Sequence, residues 1–200
     1  MSINPVISIT QAWVQEFIVG HNICPFARKE VERSSIHYAV LEGAVHDSAA
    51  EDNASLDDIE EVVFRLVELC KKLDENAGIE TVLLVLEHGF ADFERYLDLL
   101  DVANGVLTQQ GYEGVYQLAS FHPDYCFDGV DEKDASHYSN RSPYPMLHIL
   151  REDALTAVLA RYPNPEAIPE RNIAYCQELG EETLKGILQR CQRAANRTVE

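Results

Sequence analysis

The run Thr81-Val82-Leu83-Leu84-Val85-Leu86 decides the fold. It is continuously apolar after a β-branched start and follows an Asn-Ala-Gly turn, so it reads as a strand covered on both faces. Outward from it the pattern alternates. Upstream, Leu56, Ile59, Val63, Leu66, Cys70 and Leu73 fall on one stripe of a helix opened by a Ser55-x-x-Asp58 cap, which makes Cys70 core packing. Further upstream, Ile36 to Leu41 reads as a strand, with the polar, acidic stretch from Gly43 to Asn53 as a surface loop between the two. Downstream, Phe93, Tyr96, Leu97, Leu100, Ala103 and Leu107 mark a helix that stops before Gly111, and Gly114 to Ala119 reads as another strand. Strand, helix, strand, helix, strand predicts an α/β fold: a parallel or mixed sheet of three to four strands with right-handed crossover helices.

Val6, Ile9, Trp13, Val14, Phe17 and Ile18 predict an N-terminal helix that ends at Gly20, with Ser8 and Gln11 as its capping box. A short helix follows Pro25. Residues 120–146 are rich in His, Pro, Asp, Asn, Gly, Ser and Tyr and read as a long functional loop, kept ordered by its aromatics. Pro145 then opens a predicted helix to about Arg161, with Leu147, Leu150, Ala154, Leu155 and Val158 inward. A Pro-rich turn over 163–169 leads to a terminal helix through Leu184, Ile187, Leu188 and Cys191, so the chain ends in C-terminal helices. One domain is expected over residues 1–200, frayed after Ala195.

The charge balance excludes whole classes of partner. Sixteen basic against 34 acidic side chains give a net charge of −18, which repels phosphate backbones and anionic membranes. At 46% apolar and 25% charged, the composition is that of a folded globule. The longest purely apolar stretch, Val82 to Leu86, is far short of a membrane span, and the N-terminus lacks a secretory pattern, so a cytoplasmic protein is expected. Cys24, Cys70, Cys126, Cys176 and Cys191 are odd in number and widely spaced, as reduced thiols are. Acidic residues such as Glu51, Asp57 and Glu60 read as a solvated face.

Ligands of open α/β sheets gather beyond the carboxyl ends of the strands. That rule selects Glu42, Glu87 and His88, and above all Ser120 to Asp124, which leads through the long loop to Asn140 and Arg141. On the predicted helix that follows, His148, Arg151 and Glu152 share a face. Cys24 precedes Pro25 at a predicted helix start, where unpaired amides and the dipole lower a thiol pKa; its alternative is a small buried hydrophobe beside Phe26. His122 and His148 are candidate acids or bases, or else rings that hold the loop by hydrogen bonds to backbone, whereas His37, His46 and His137 read as surface residues. Basic residues are scarce, so Arg141, Arg151 and Arg171 in the irregular C-terminal third are candidate anion forks, against the alternative of internal pairing with carboxylates. No nucleotide-binding P-loop, dinucleotide Gly-x-Gly-x-x-Gly or Gly-x-Ser-x-Gly elbow is present.

The segments Asn22-Ile23-Cys24-Pro25-Phe26-Ala27, Glu80-Thr81, Ala119-Ser120-Phe121-His122-Pro123-Asp124-Tyr125, Asn140-Arg141-Ser142-Pro143-Tyr144-Pro145 through Glu152, and Ile168-Pro169-Glu170-Arg171-Asn172 resemble an uncharacterised bacterial family, domain of unknown function fourteen-fifteen. The resemblance extends over about residues 10–185 and implies no activity. It does imply that Cys24, His122, Asn140 to Arg151 and Arg171 belong to the family signature.

Two functions compete. One is an enzyme on a small anionic, phosphorylated or carboxylated metabolite, with Cys24, His122 and His148 catalytic and Asn140, Arg141, Arg151 and Arg171 holding the substrate. A metal variant of it uses His122, His148 and either Cys24 or Asp124 as ligands. The other is a binding or regulatory module whose long loop is an interaction surface. No cofactor and no oligomeric state follows from the residues.

Overall fold

The computed structural model describes residues 4–42 and 56–193. Helix α1 (Pro5–Trp13) runs directly into π-helical turns over Val14–Val19, followed by the short α2 (Ala27–Glu32) and strand β1 (Ile36–Leu41). Then come α3 (Leu56–Glu75), β2 (Thr81–Leu86), α4 (Phe93–Gln109), β3 (Tyr116–Phe121), a 3-10 turn at Ala135–Ser139, β4 (Met146–Arg151), α5 (Glu152–Leu159), α6 (Ile168–Leu179) and α7 (Glu181–Gln192). The strands form one mixed sheet in the order β1-β2-β4-β3, with β1 and β2 parallel and β4 antiparallel to both its neighbours. The fold is α/β. The expected cap at Ser55, the loop from Gly43 to Asn53, His46 and the fraying after Ala195 lie outside the described residues.

Every β2 side chain is buried, as a strand with helices on both faces requires. Val82, Leu84 and Leu86 face α3 and α4 together with Leu147 and Ile149, and Cys70 lies in this layer. Leu83, Val85 and Met146 face the other way, toward α1, the π-helical turns and α7. Each fully buried Leu or Val stabilises the fold by roughly 1.5–3 kcal/mol.

The largest departure from expectation is Met146–Arg151, which is a strand and not the start of a helix at Pro145. Crossover α4 carries the chain from β2 to β3 across the position of one strand, and β4 fills that gap. The helical period over Leu147, Leu150, Ala154, Leu155 and Val158 spanned two elements, and a buried central strand has no alternation to oppose it. His148 and Arg151 therefore sit on opposite faces of the sheet and share no helical face with Glu152.

Two helix starts also differ. Asn4 caps α1, its side-chain oxygen accepting from the Val6 amide at 2.8 Å, with Pro5 in the first turn. Ser8 is thus inside the helix and forms no capping box. Helix α2 opens at Ala27 after Phe26, so Pro25 precedes it. Within the long loop His137 is buried, not superficial: its Nδ1 accepts from the Phe127 amide at 3.1 Å and its Nε2 donates to the Asp131 carbonyl at 2.8 Å.

Candidate functional site

A cavity of about 480 Å³ opens on the sheet face away from α3 and α4. Its floor is the adjacent triplet Leu83, His148 and Ala119 on β2, β4 and β3, placed side by side by strand register. Trp13, Val14 and Ile18 of the first helix and its π-helical extension form one wall, Phe121 and Leu150 continue the sheet, and Cys24 and Phe26 close the end nearest α2. Departures from α-helical geometry are frequent at functional sites, and here the π-helical turns border the candidate cavity.

Helix α5 is the roof. Ala154, Leu155, Ala157 and Val158 face the space, and no residue of the helix is fully buried although it is amphipathic. Its apolar stripe covers the cavity instead of packing on the sheet.

His148 is the polar centre of the floor. Thr81, the first residue of β2, holds its Nε2 at 2.7 Å while donating its hydroxyl proton to the Ile149 carbonyl at 2.6 Å. Loss of hydration in this apolar enclosure pushes the His148 pKa down to about 4, so the ring is neutral at physiological pH. The Trp13 indole packs edge-on against Phe121 with ring centroids 5.2 Å apart, and its buried Nε1 has no hydrogen-bond partner among the described residues.

Cys24 lines the same cavity as a half-buried free thiol. Burial pushes its pKa up, against the lowering expected for a helix start; the Phe26 and Ala27 amides and the Arg171 charge act in the opposite sense without overcoming it. The turn that presents it is held from α6. Asn22 takes the left-handed conformation, φ 55°, which Asn tolerates, and Arg171 Nη2 donates to its carbonyl. Asn172 Nδ2 donates to the Ile23 carbonyl at 2.8 Å, and Asn172 Oδ1 accepts from Arg171 at 2.7 Å.

The arginines do not converge. Arg141 donates to the Tyr125 carbonyl at 3.1 Å and lies over the Tyr138 ring, Arg171 holds the Cys24 turn, and Arg151 reaches across the other face to the Leu73 carbonyl at 2.5 Å and the Ile79 carbonyl at 3.2 Å. Each guanidinium ties together backbone that has no ladder partner, which is an internal role, with carbonyls as acceptors in place of the carboxylates weighed from sequence. Asn140 borders the cavity, but its amide donates to the Ser120 carbonyl at 3.4 Å and its oxygen accepts from Ser139 at 3.0 Å.

His122 is fully buried and lies elsewhere, against Phe93 and Tyr96. Its Nε2 donates to the Phe90 carbonyl at 2.9 Å and its Nδ1 accepts from the Asp124 amide at 3.0 Å, so both nitrogens are engaged. The four groups weighed as metal ligands, His122, His148, Cys24 and Asp124, are not assembled: among the described residues no three His, Cys, Asp or Glu side chains form a metal-binding group. Of the expected site residues, the cavity thus brings together Cys24, His148 and Asn140, with part of Arg151 at its edge.

Sequence reasoning gave Thr81, Trp13 and Asn172 no site role, although Thr81 and Asn172 fall in the segments that carry the family resemblance. Thr81 left one signal, a hydroxyl at the head of an otherwise apolar strand, and Trp13 is the single tryptophan. Among the described residues no helix is long and apolar enough to cross a membrane.

A family model described as a protein of unknown function (DUF1415) matches residues 5–186. No curated protein and no solved structure matches the chain.

Proposed function

The chain belongs to the DUF1415 family of proteins of unknown function, and we propose that it binds a predominantly apolar small molecule in the cavity beneath α5. One observation carries this: an apolar space of about 480 Å³, within the range of ligand pockets, is floored by an uncharged His148 and roofed by a helix whose apolar stripe has no other cover. The charged side chains of the lining carry both signs, Lys29, Arg151 and Arg161 with Glu30 and Glu80, and Arg151 is engaged by backbone carbonyls.

The test uses the uncharged, environment-sensitive dye N-phenylnaphthylamine. Wild-type protein is expected to bind it saturably with one site. Ala119→Phe, which fills the floor beside His148, is expected to weaken binding by at least about tenfold, roughly 1.4 kcal/mol, while leaving circular dichroism unchanged. Equal binding by the two proteins, or none by wild type, overturns the proposal.

A second reading, in which the Cys24 sulfur adds to an electrophilic double bond of the bound molecule and the thiol proton passes to the adduct, is favoured by the free thiol's placement in the cavity wall. It is distinguished by whether a mass increment appears on Cys24 when the protein is purified under native conditions, and by whether dye binding protects Cys24 from alkylation.

A further inference from the structure

The hydrogen bonds around His148 specify what the bound molecule offers. Thr81 has one hydroxyl proton, and it lies on the Ile149 carbonyl, 2.6 Å away. His148 Nε2, 2.7 Å from the same oxygen, must therefore be the donor in that contact and carry the ring proton. A neutral imidazole with its proton on Nε2 has a bare lone pair on Nδ1. No described residue donates to that nitrogen, and the ring forms part of the cavity floor.

Several other polar groups in the lining are already matched, whereas the buried Trp13 Nε1 donor has no partner among the described residues. The Asn140 and Asn172 amides and the Ser139 hydroxyl hold one another or backbone. Glu30 accepts from Ser35 Oγ at 2.7 Å and pairs with Lys29 at 3.5 Å. The His148 lone pair is an acceptor left over on the sheet floor, between the apolar side chains of Leu83 and Ala119.

We infer that the ligand is an uncharged, largely apolar alcohol or phenol whose hydroxyl donates to His148 Nδ1. This rests on the binding function proposed above and narrows it to a class. A donor is required because the lone pair can only accept. A neutral donor is favoured because the desolvated ring stays unprotonated and the guanidinium groups of Arg141, Arg151 and Arg171 are engaged by backbone carbonyls. A cavity of roughly 150 Å³ admits benzene. The present volume of about 480 Å³ is three times that, and so suits a molecule of roughly 15–20 non-hydrogen atoms.

The experiment compares para-hydroxybiphenyl, its methyl ether and biphenylcarboxylate as competitors of N-phenylnaphthylamine on the full chain at neutral pH. The phenol is expected to displace the dye at a concentration at least about tenfold lower than either analogue. That preference is expected to vanish in His148→Phe and to be partly restored in His148→Gln, whose side-chain oxygen can accept. Equal potency of phenol and ether on wild type overturns the inference while leaving the binding function intact, as does a preference for the carboxylate or one that survives in His148→Phe. Failure of any dye or competitor to bind wild type overturns both. The wild-type comparison stands without the variants, so a misfolded substitution does not protect the idea.

Discussion

Lowering the pH from 8 to 5 should destabilise this protein in a way traceable to His148. Its folded pKa is depressed to about 4, whereas the same side chain in the unfolded chain titrates near 6.5. Between those values the unfolded state binds the extra proton, so stability is fully present above the unfolded pKa and is lost as pH falls. The slope approaches 1.4 kcal/mol per pH unit within that window, and integration from pH 8 to pH 5 gives a loss of about 2 kcal/mol from this ring alone. Urea unfolding followed by the fluorescence of Trp13, which is the single tryptophan and is buried, measures it at each pH. The comparison is with His148→Gln, which does not titrate. Burial also depresses His122 and His37, but both titrations are common to the two proteins and cancel in the difference. Wild type should therefore lose about 2 kcal/mol more than the variant on acidification. Parallel stability curves, differing by a constant from pH 8 to pH 5, would refute the claim that the cavity desolvates this ring.

Other outcomes follow from the hydrogen bonds that hold the site together. Arg151→Met strips the Ile79 carbonyl of its donor and the Leu73 carbonyl of one of two, the Asn76 amide remaining, and should cost about 2 kcal/mol in urea denaturation; a loss below about 0.5 kcal/mol would mean these contacts are idle. Asn172→Ala removes the buried donor to the Ile23 carbonyl, so it should destabilise the fold by about 1–3 kcal/mol and speed iodoacetamide alkylation of Cys24 by freeing its turn; an unchanged alkylation rate argues that Asn172 does not position the thiol. Because burial raises its pKa, Cys24 in wild type should react with iodoacetamide at pH 8 more slowly than glutathione does, and equal rates would show an exposed, ordinary thiol. His122→Phe leaves the Phe90 carbonyl and the Asp124 amide unmatched and should lower stability by about 2–4 kcal/mol without altering dye affinity; a selective loss of dye binding in a folded variant would place His122 in the site after all.

Much of the architecture is written locally. The fully apolar β2, the stripe of α3 and the helical period of α4 each satisfy a rule that depends on residues a few positions apart, so the α/β class and three of the strands are legible from the residues alone. The fourth strand is not, because Met146 to Leu150 is apolar apart from His148, without polar alternation, and its identity depends on a vacancy between β2 and β3 that no local pattern encodes. The signature segments could be picked out by residue type, but not sorted into roles. Arginine is as suited to a row of backbone carbonyls as to an anion, and a histidine to an amide and a carbonyl as to a substrate.

The linear order of residues determined that this chain is acidic, folds around a buried strand and carries Cys, His and Arg in several short segments far apart in sequence. Only tertiary structure decided which of those side chains share a cavity. Strand register sets His148 beside Leu83 and Ala119, and Asn172, 149 positions away from Ile23, fixes the turn that carries Cys24. Those are long-range contacts, and the burial that makes one histidine a bare acceptor and another a loop clamp exists only once they have formed.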